Sequence, residues 1–226
     1  MAALVSGQLA IAGVNPGLSV GVAFPGNVTS GNVMLVVGSI GANFQLDVAD
    51  SLGATFTGVM DNFATGFGRI FMWWAAVPSS GANTVTVSHA SSTVRKGLAI
   101  YETSGLDTTA PFDDSSAATG TGTSVDAGSI TMTAGGVILS GFRGSSSVTA
   151  YDSDYTNTQV DSTATLASAL RFTSAITDSA VHTISSTTWN AIIANFKDAA
   201  AGGGDPEGRL VGGKLLRGGL LRGGVL

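Results

Sequence analysis

Two histidines, fifteen acidic residues and no cysteine limit the reactive centres that this 226-residue chain can build. Without cysteine there is no thiol nucleophile, zinc–thiolate site, iron–sulfur cluster or disulfide. His89 and His182 fall at the end of, or within, strand-like runs, and each reads as a surface or half-buried strand residue rather than a ligand. The acids come closer to a site. Tyr151-Asp152-Ser153-Asp154-Tyr155 sets two carboxylates between aromatics, and Asp113-Asp114 is an adjacent pair. Calcium favours such oxygen clusters, but the further ligands and terminal glutamate of an EF-hand-like loop are missing. Turn chemistry, in which Asp and Ser bond their own backbone, is the simpler expectation. No Gly-x-Ser-x-Gly elbow, His-Glu-x-x-His pair or Gly-x4-Gly-Lys-Ser/Thr phosphate loop occurs. A glycosidase carboxylate pair would want Arg, Trp and His nearby, and these are scarce. The chain is read as non-enzymatic, with no catalytic residue, metal or cofactor assigned.

Trp73 and Trp74 must point to opposite faces of one strand. One can enter a core while the other covers a subunit contact or receives a sugar ring. The face of Trp74 also carries Ile70 and Met72, a broad apolar patch, so Ile70, Met72 and Trp74 are the expected interface residues of the body.

The elements that would hold these residues are strands. Runs rich in Val, Ile, Thr and aromatics recur every ten or so residues between Gly, Ser, Asn, Asp and Pro clusters, the rhythm of an all-β sandwich. Candidate strands lie at 8–14, 18–24, 32–40, 44–48, 54–60, 69–77, 82–89, 96–102, 126–133, 136–142, 147–151, 156–161, 166–173, 180–186 and 188–196, with little or no helix. Thr84 to Ser88 alternates, with Val85 and Val87 inward. Residues 33–37, 69–77 and 189–196 are apolar on both faces, which demands a second cover; a neighbouring subunit is the simplest one. Residues 103–125 read as a long turn-rich surface connection within a single sandwich.

Composition separates a body, residues 1–198, from a flexible linker, 199–209, and a tail, 210–226. In the tail a five-residue phrase repeats: Leu210, Leu215, Leu220 and Val225 share one position, Val211, Leu216, Leu221 and Leu226 the next, with Arg217 and Arg222 following and glycine at 213, 218 and 223. The repeat looks somewhat like a pentapeptide-repeat β-helix, but carries a second aliphatic residue where that family generally has a polar one. Seventeen residues make less than a full turn of such a coil, so the tail cannot bury its leucines alone. Leu210, Leu215, Leu216, Leu220, Leu221, Arg217, Arg222, Val225 and Leu226 are therefore expected assembly residues.

The body holds six basic and thirteen acidic residues; residues 199–226 hold four and two. An acidic body and a net charge of −5 argue against a nucleic-acid partner, which needs clustered Lys and Arg. The most apolar stretches, 32–40 and 70–77, fall far short of the ~20 residues that span a bilayer. Residues 1–14 lack the basic start of a secretory signal, so no membrane or export segment is expected.

Asn32-Val-Met-Leu-Val-Val-Gly, the run Arg69 to Val77 followed by Thr84-Val-Thr-Val, Gly97-Leu-Ala-Ile-Tyr-Glu-Thr-Ser-Gly-Leu-Asp, Gly136-Val-Ile-Leu-Ser-Gly and Trp189-Asn-Ala-Ile-Ile-Ala-Asn-Phe-Lys together resemble, in rhythm and order over residues 30–198, a β-sandwich module of tailed-bacteriophage virion proteins. The resemblance implies a jelly-roll-like antiparallel body in a capsid decoration (cement) protein, head fibre or tail component. It implies virion localisation and a homotrimer that binds the major capsid protein or other virion subunits. The alternative expectation is a carbohydrate-binding, receptor-recognition module of a phage tail or fibre that takes host glycans through an exposed Trp or Tyr.

Overall fold

A computed structural model gives the placement of residues 1–89, 94–144 and 148–200. Among these residues there is no helix, and sixteen strands run in the order β1 (Ala3–Val14), β2 (Ser19–Ala23), β3 (Val33–Ile40), β4 (Asp47–Asp50), β5 (Thr57–Ala64), β6 (Gly68–Ala76), β7 (Thr84–Ser88), β8 (Lys96–Ser104), β9 (Phe112–Asp126), β10 (Ile130–Met132), β11 (Gly136–Gly144), β12 (Val148–Ala150), β13 (Thr156–Asp161), β14 (Leu166–Thr173), β15 (Ile176–Asp178) and β16 (Val181–Lys197). The fold is an all-β, antiparallel sandwich.

Strand order reveals a duplication that the sequence hides. The first half forms a sheet β1-β8-β3-β6-β5 and a smaller one β2-β7-β4, a jelly-roll-like order in which β5 joins β6 in the large sheet rather than β4 in the small one. The second half repeats the larger sheet as β9-β16-β11-β14-β13. Here the long β9 and β16 do the work that β1 with β2, and β8 with β7, share in the first half. β12 pairs with the opening of β16 just as β4 pairs with β7. Irregularities recur at matching points. β5 bulges between Gly58 and Met60 opposite Trp73 and Met72, and β13 between Thr156 and Gln159 opposite Leu170 and Ser168. The pairing of β1 with β8 slips at Tyr101–Thr103, that of β9 with β16 at Ala194–Phe196. Through these bulges Trp74 corresponds to Leu170, and Glu102 to Asn195. Both of the latter are fully buried, and each accepts a backbone N–H: Glu102 Oε1 from Thr29 at 2.7 Å, Asn195 Oδ1 from Asp114 at 2.6 Å.

The two large sheets stack face to face in opposite strand order, β1 over β13, β8 over β14, β3 over β11 and β5 over β9, as a two-fold axis through β3 and β11 requires. Val33, Leu35, Val37, Ile70, Met72, Ala99 and Tyr101 meet Val137, Leu139, Leu166, Leu170, Ile192, Ala194 and Phe196 between them. Polar stitches cross the same seam. Tyr101 Oη and Ser168 Oγ lie 2.7 Å apart, and Asn62 Nδ2 donates to the carbonyls of Ala118 and Ala191. A second core, with Phe71, Trp73, Val85 and Val87, lies under the small sheet of the first half; a third, with Phe142, Tyr155, Trp189 and Ile193, lies outside the second.

This layering corrects the reading of the two-faced strands. Ile70 and Met72 are fully buried in the seam, so the cover that their apolar face demands is the other half of the same chain and not a neighbouring subunit. Residues 112–126 are strand rather than connection: threonine, serine and glycine supply no apolar alternation, but β16 offers them a hydrogen-bonding edge along nearly its whole length. The inferred strands 180–186 and 188–196 are the single strand β16. Two glycines make room for rings. A Cβ at Gly38 would stand 2.7 Å from the Trp73 ring, and one at Gly120 2.4 Å from that of Trp189.

Candidate functional site

Trp74 is the one expected body-interface residue left partly open. Its position on β6 points it toward the seam, but at the rim, where it also lines a cleft of about 390 Å³. Ala76 and Pro78 continue the floor; Gly53, Ala54, Thr55 and Thr57 form one wall and Thr108 the other. Thr55, Thr57 and Thr108 are exposed. Both walls are pinned by carboxylates. Asp50 Oδ1 accepts the Ala54 N–H at 2.7 Å while its Oδ2 accepts Asn83 Nδ2 at 2.7 Å. Asp107 Oδ1 accepts the N–H groups of Thr109 and Ala110, bonds that hold its carboxyl below the ordinary aspartate range. The cleft is thus preformed, and none of its lining residues is charged.

The second polar centre is one that spacing did not reveal. His182, expected at the surface or half-buried, is 1% exposed. It sits among Phe142, Tyr151 and Tyr155, with ring centroids 5.2 to 5.3 Å away. Its Nδ1 accepts the backbone N–H of Asp152 at 3.1 Å, so the neutral ring carries its proton on Nε2 and donates it to Ser140 Oγ at 2.7 Å. A catalytic serine needs the reverse, an Nε2 free to take the hydroxyl proton and a carboxylate on Nδ1. In this geometry the pair braces the 151–155 segment against β11. Burial pulls His182 down to about 4, against a smaller upward pull from Asp152 and Asp178. Asp178 in turn accepts from Tyr155 Oη at 2.7 Å and pairs with Arg171 at 3.0 Å, which also reaches Asp154 at 2.8 Å. Burial, with the Asp178 contact, pushes the Tyr155 phenol well above its usual range.

Asp152 does the turn chemistry that its sequence suggested, whereas Asp113 and Asp114 stand on β9 and bond residues 20 and 17 positions away, beyond the local turn expected of them. Asp113 Oδ2 accepts from the Thr133 N–H and hydroxyl, Asp114 Oδ2 from the Thr131 N–H, and Asp152 Oδ1 from the Asp154 N–H. Among the described residues no group of three or more His, Cys, Asp or Glu is placed to hold a metal ion. His89 stacks on Phe44 at 4.5 Å. The assembly residues Leu210, Leu215, Leu216, Arg217, Leu220, Leu221, Arg222, Val225 and Leu226 lie outside the described residues.

No protein-family model, curated protein or solved structure matches this chain.

Proposed function

We propose that the protein is a non-enzymatic structural subunit of a phage virion, a capsid decoration (cement) or head-fibre component, in which residues 210–226 make the attachment. The observation that carries this reading is the closure of the body. Each two-faced strand is covered on both sides by layers of its own chain, so the aliphatic residues of the tail are not needed to complete that core. Their sequence is suited to another surface: paired aliphatics every five residues with Lys214, Arg217 and Arg222 between them, reached through Gly202-Gly203-Gly204. The jelly-roll-like sandwich supports the assignment by fold-level analogy, since capsid proteins use jelly rolls widely, as lectin domains do too.

In this mechanism the tail packs against its equivalents in a homotrimer and against the major capsid protein, each covered aliphatic side chain contributing about 1.5–3 kcal/mol. The acidic body stays outside. Removing residues 201–226 is expected to abolish particle occupancy while leaving the body folded. Full occupancy by the truncated chain would overturn the assignment of attachment to the tail.

A further inference from the structure

We infer that the Trp74 cleft is a binding site for a neutral oligosaccharide, a role independent of the tail. Four observations converge on it. Trp74 packs against the seam cluster, is only partly buried and lines the cleft, so its indole supplies there the aromatic surface on which the C–H side of a pyranose ring can stack. Thr55, Thr57 and Thr108 line the same cleft, and a threonine hydroxyl can both donate and accept, which suits the vicinal hydroxyls of a sugar. The volume of about 390 Å³ falls within the ~300–1,000 Å³ of small-molecule sites. The walls are fixed by Asp50 and Asp107, so little ordering cost falls on binding.

The lining also says what is refused. It presents no cation to a carboxylate, sulfate or phosphate, so sialylated and sulfated glycans and nucleotides fit it poorly. The duplication gives a built-in contrast. The residue equivalent to Trp74 in the second half is Leu170, fully buried, so among the described residues the second half has no counterpart of this site.

The test uses the full chain on an array of neutral gluco-, manno-, galacto-, xylo- and N-acetylglucosamine oligomers beside sialylated and sulfated ones, followed by titration of the best neutral binder. Titration calorimetry reads the affinity of the protein and its variants alike, and a saturable change in tryptophan fluorescence of the unsubstituted chain places the ligand at Trp74, since Trp73 and Trp189 are buried at 8% and 7% exposure. Trp74→Leu, which installs the side chain used at the matching position, is expected to weaken binding at least tenfold with the melting temperature little changed. Thr108→Val, on an exposed turn, is expected to weaken it severalfold. Absence of neutral-glycan binding, preference for anionic glycans, or affinity that survives both substitutions would each overturn the inference. None of these readouts depends on particle occupancy, so this site and the attachment role fail or stand separately.

Discussion

The two halves of the body share strand order, bulge positions and one seam, yet their outer layers have diverged. The first half covers its large sheet with a small one over a core of aliphatic and aromatic residues, with Phe71 stacked on Trp73 at 5.3 Å, and opens a cleft at Trp74. The second places a titratable ring, His182, in the corresponding outer layer and keeps Leu170 sealed where Trp74 stands. The contrast shows where such a duplicated sandwich is free to vary. The face that joins the halves must stay apolar and complementary from both sides, whereas each outer layer answers only to its own half.

The seam should be the most sensitive region. Met72→Ala, which removes a fully buried side chain there, is expected to cost about 2–5 kcal/mol in denaturant unfolding and to leave the solution mass unchanged. A change in mass without loss of stability would return Met72 to a subunit interface and undo the contrast between seam and surface.

The outer layer of the second half should respond to acid through its buried histidine. His182 titrates near 6.5 when unfolded and about 4 when folded, so below 6.5 the unfolded chain binds the proton first and stability falls as pH drops toward 4. Between pH 7 and 5 this amounts to about 2 kcal/mol, by the ~1.4 kcal/mol attached to each pH unit. His182→Gln, which can still accept from Asp152 and donate to Ser140, is expected to flatten that part of the profile. An unchanged slope would mean that His182 is not the acid-sensitive group.

The smallest effect should come from the polar stitches across the seam. Tyr101→Phe leaves Ser168 without its partner at 2.7 Å, at a cost of about 1 kcal/mol. A neutral result would assign the seam's cohesion wholly to its apolar side chains.

Much of this architecture was legible in the residues. Alternation placed Val85 and Val87 inward, and the apolar faces of residues 33–37, 69–77 and 189–196 correctly announced that these strands are covered twice. What covers them was not legible. One sheet hides another through pairings of distant residues, and the halves retain the register of their bulges rather than a readable repeat of side chains. The strand at 112–126 was invisible for a related reason: an edge of Thr, Ser and Gly owes its extended form to β16, not to its own pattern. Ser140 and His182 lie 42 residues apart and carry no spacing signal, and the Trp74 cleft depends on Thr108 arriving from a turn whose place only the fold decides. Asp152 needed less, because its bond to the Asp154 N–H is local, while the bonds of Asp113 and Asp114 to Thr133 and Thr131 left no local signal.

The central claim is that the body is complete in itself and that self-assembly passes through residues 210–226. Sedimentation equilibrium of the intact chain and of residues 1–200, at the same high concentration, tests it most directly. The account predicts a trimer for the intact chain and a folded, monodisperse monomer of undiminished melting temperature for the shortened one. A shortened chain that still assembles, or that loses its cooperative melt, would contradict it.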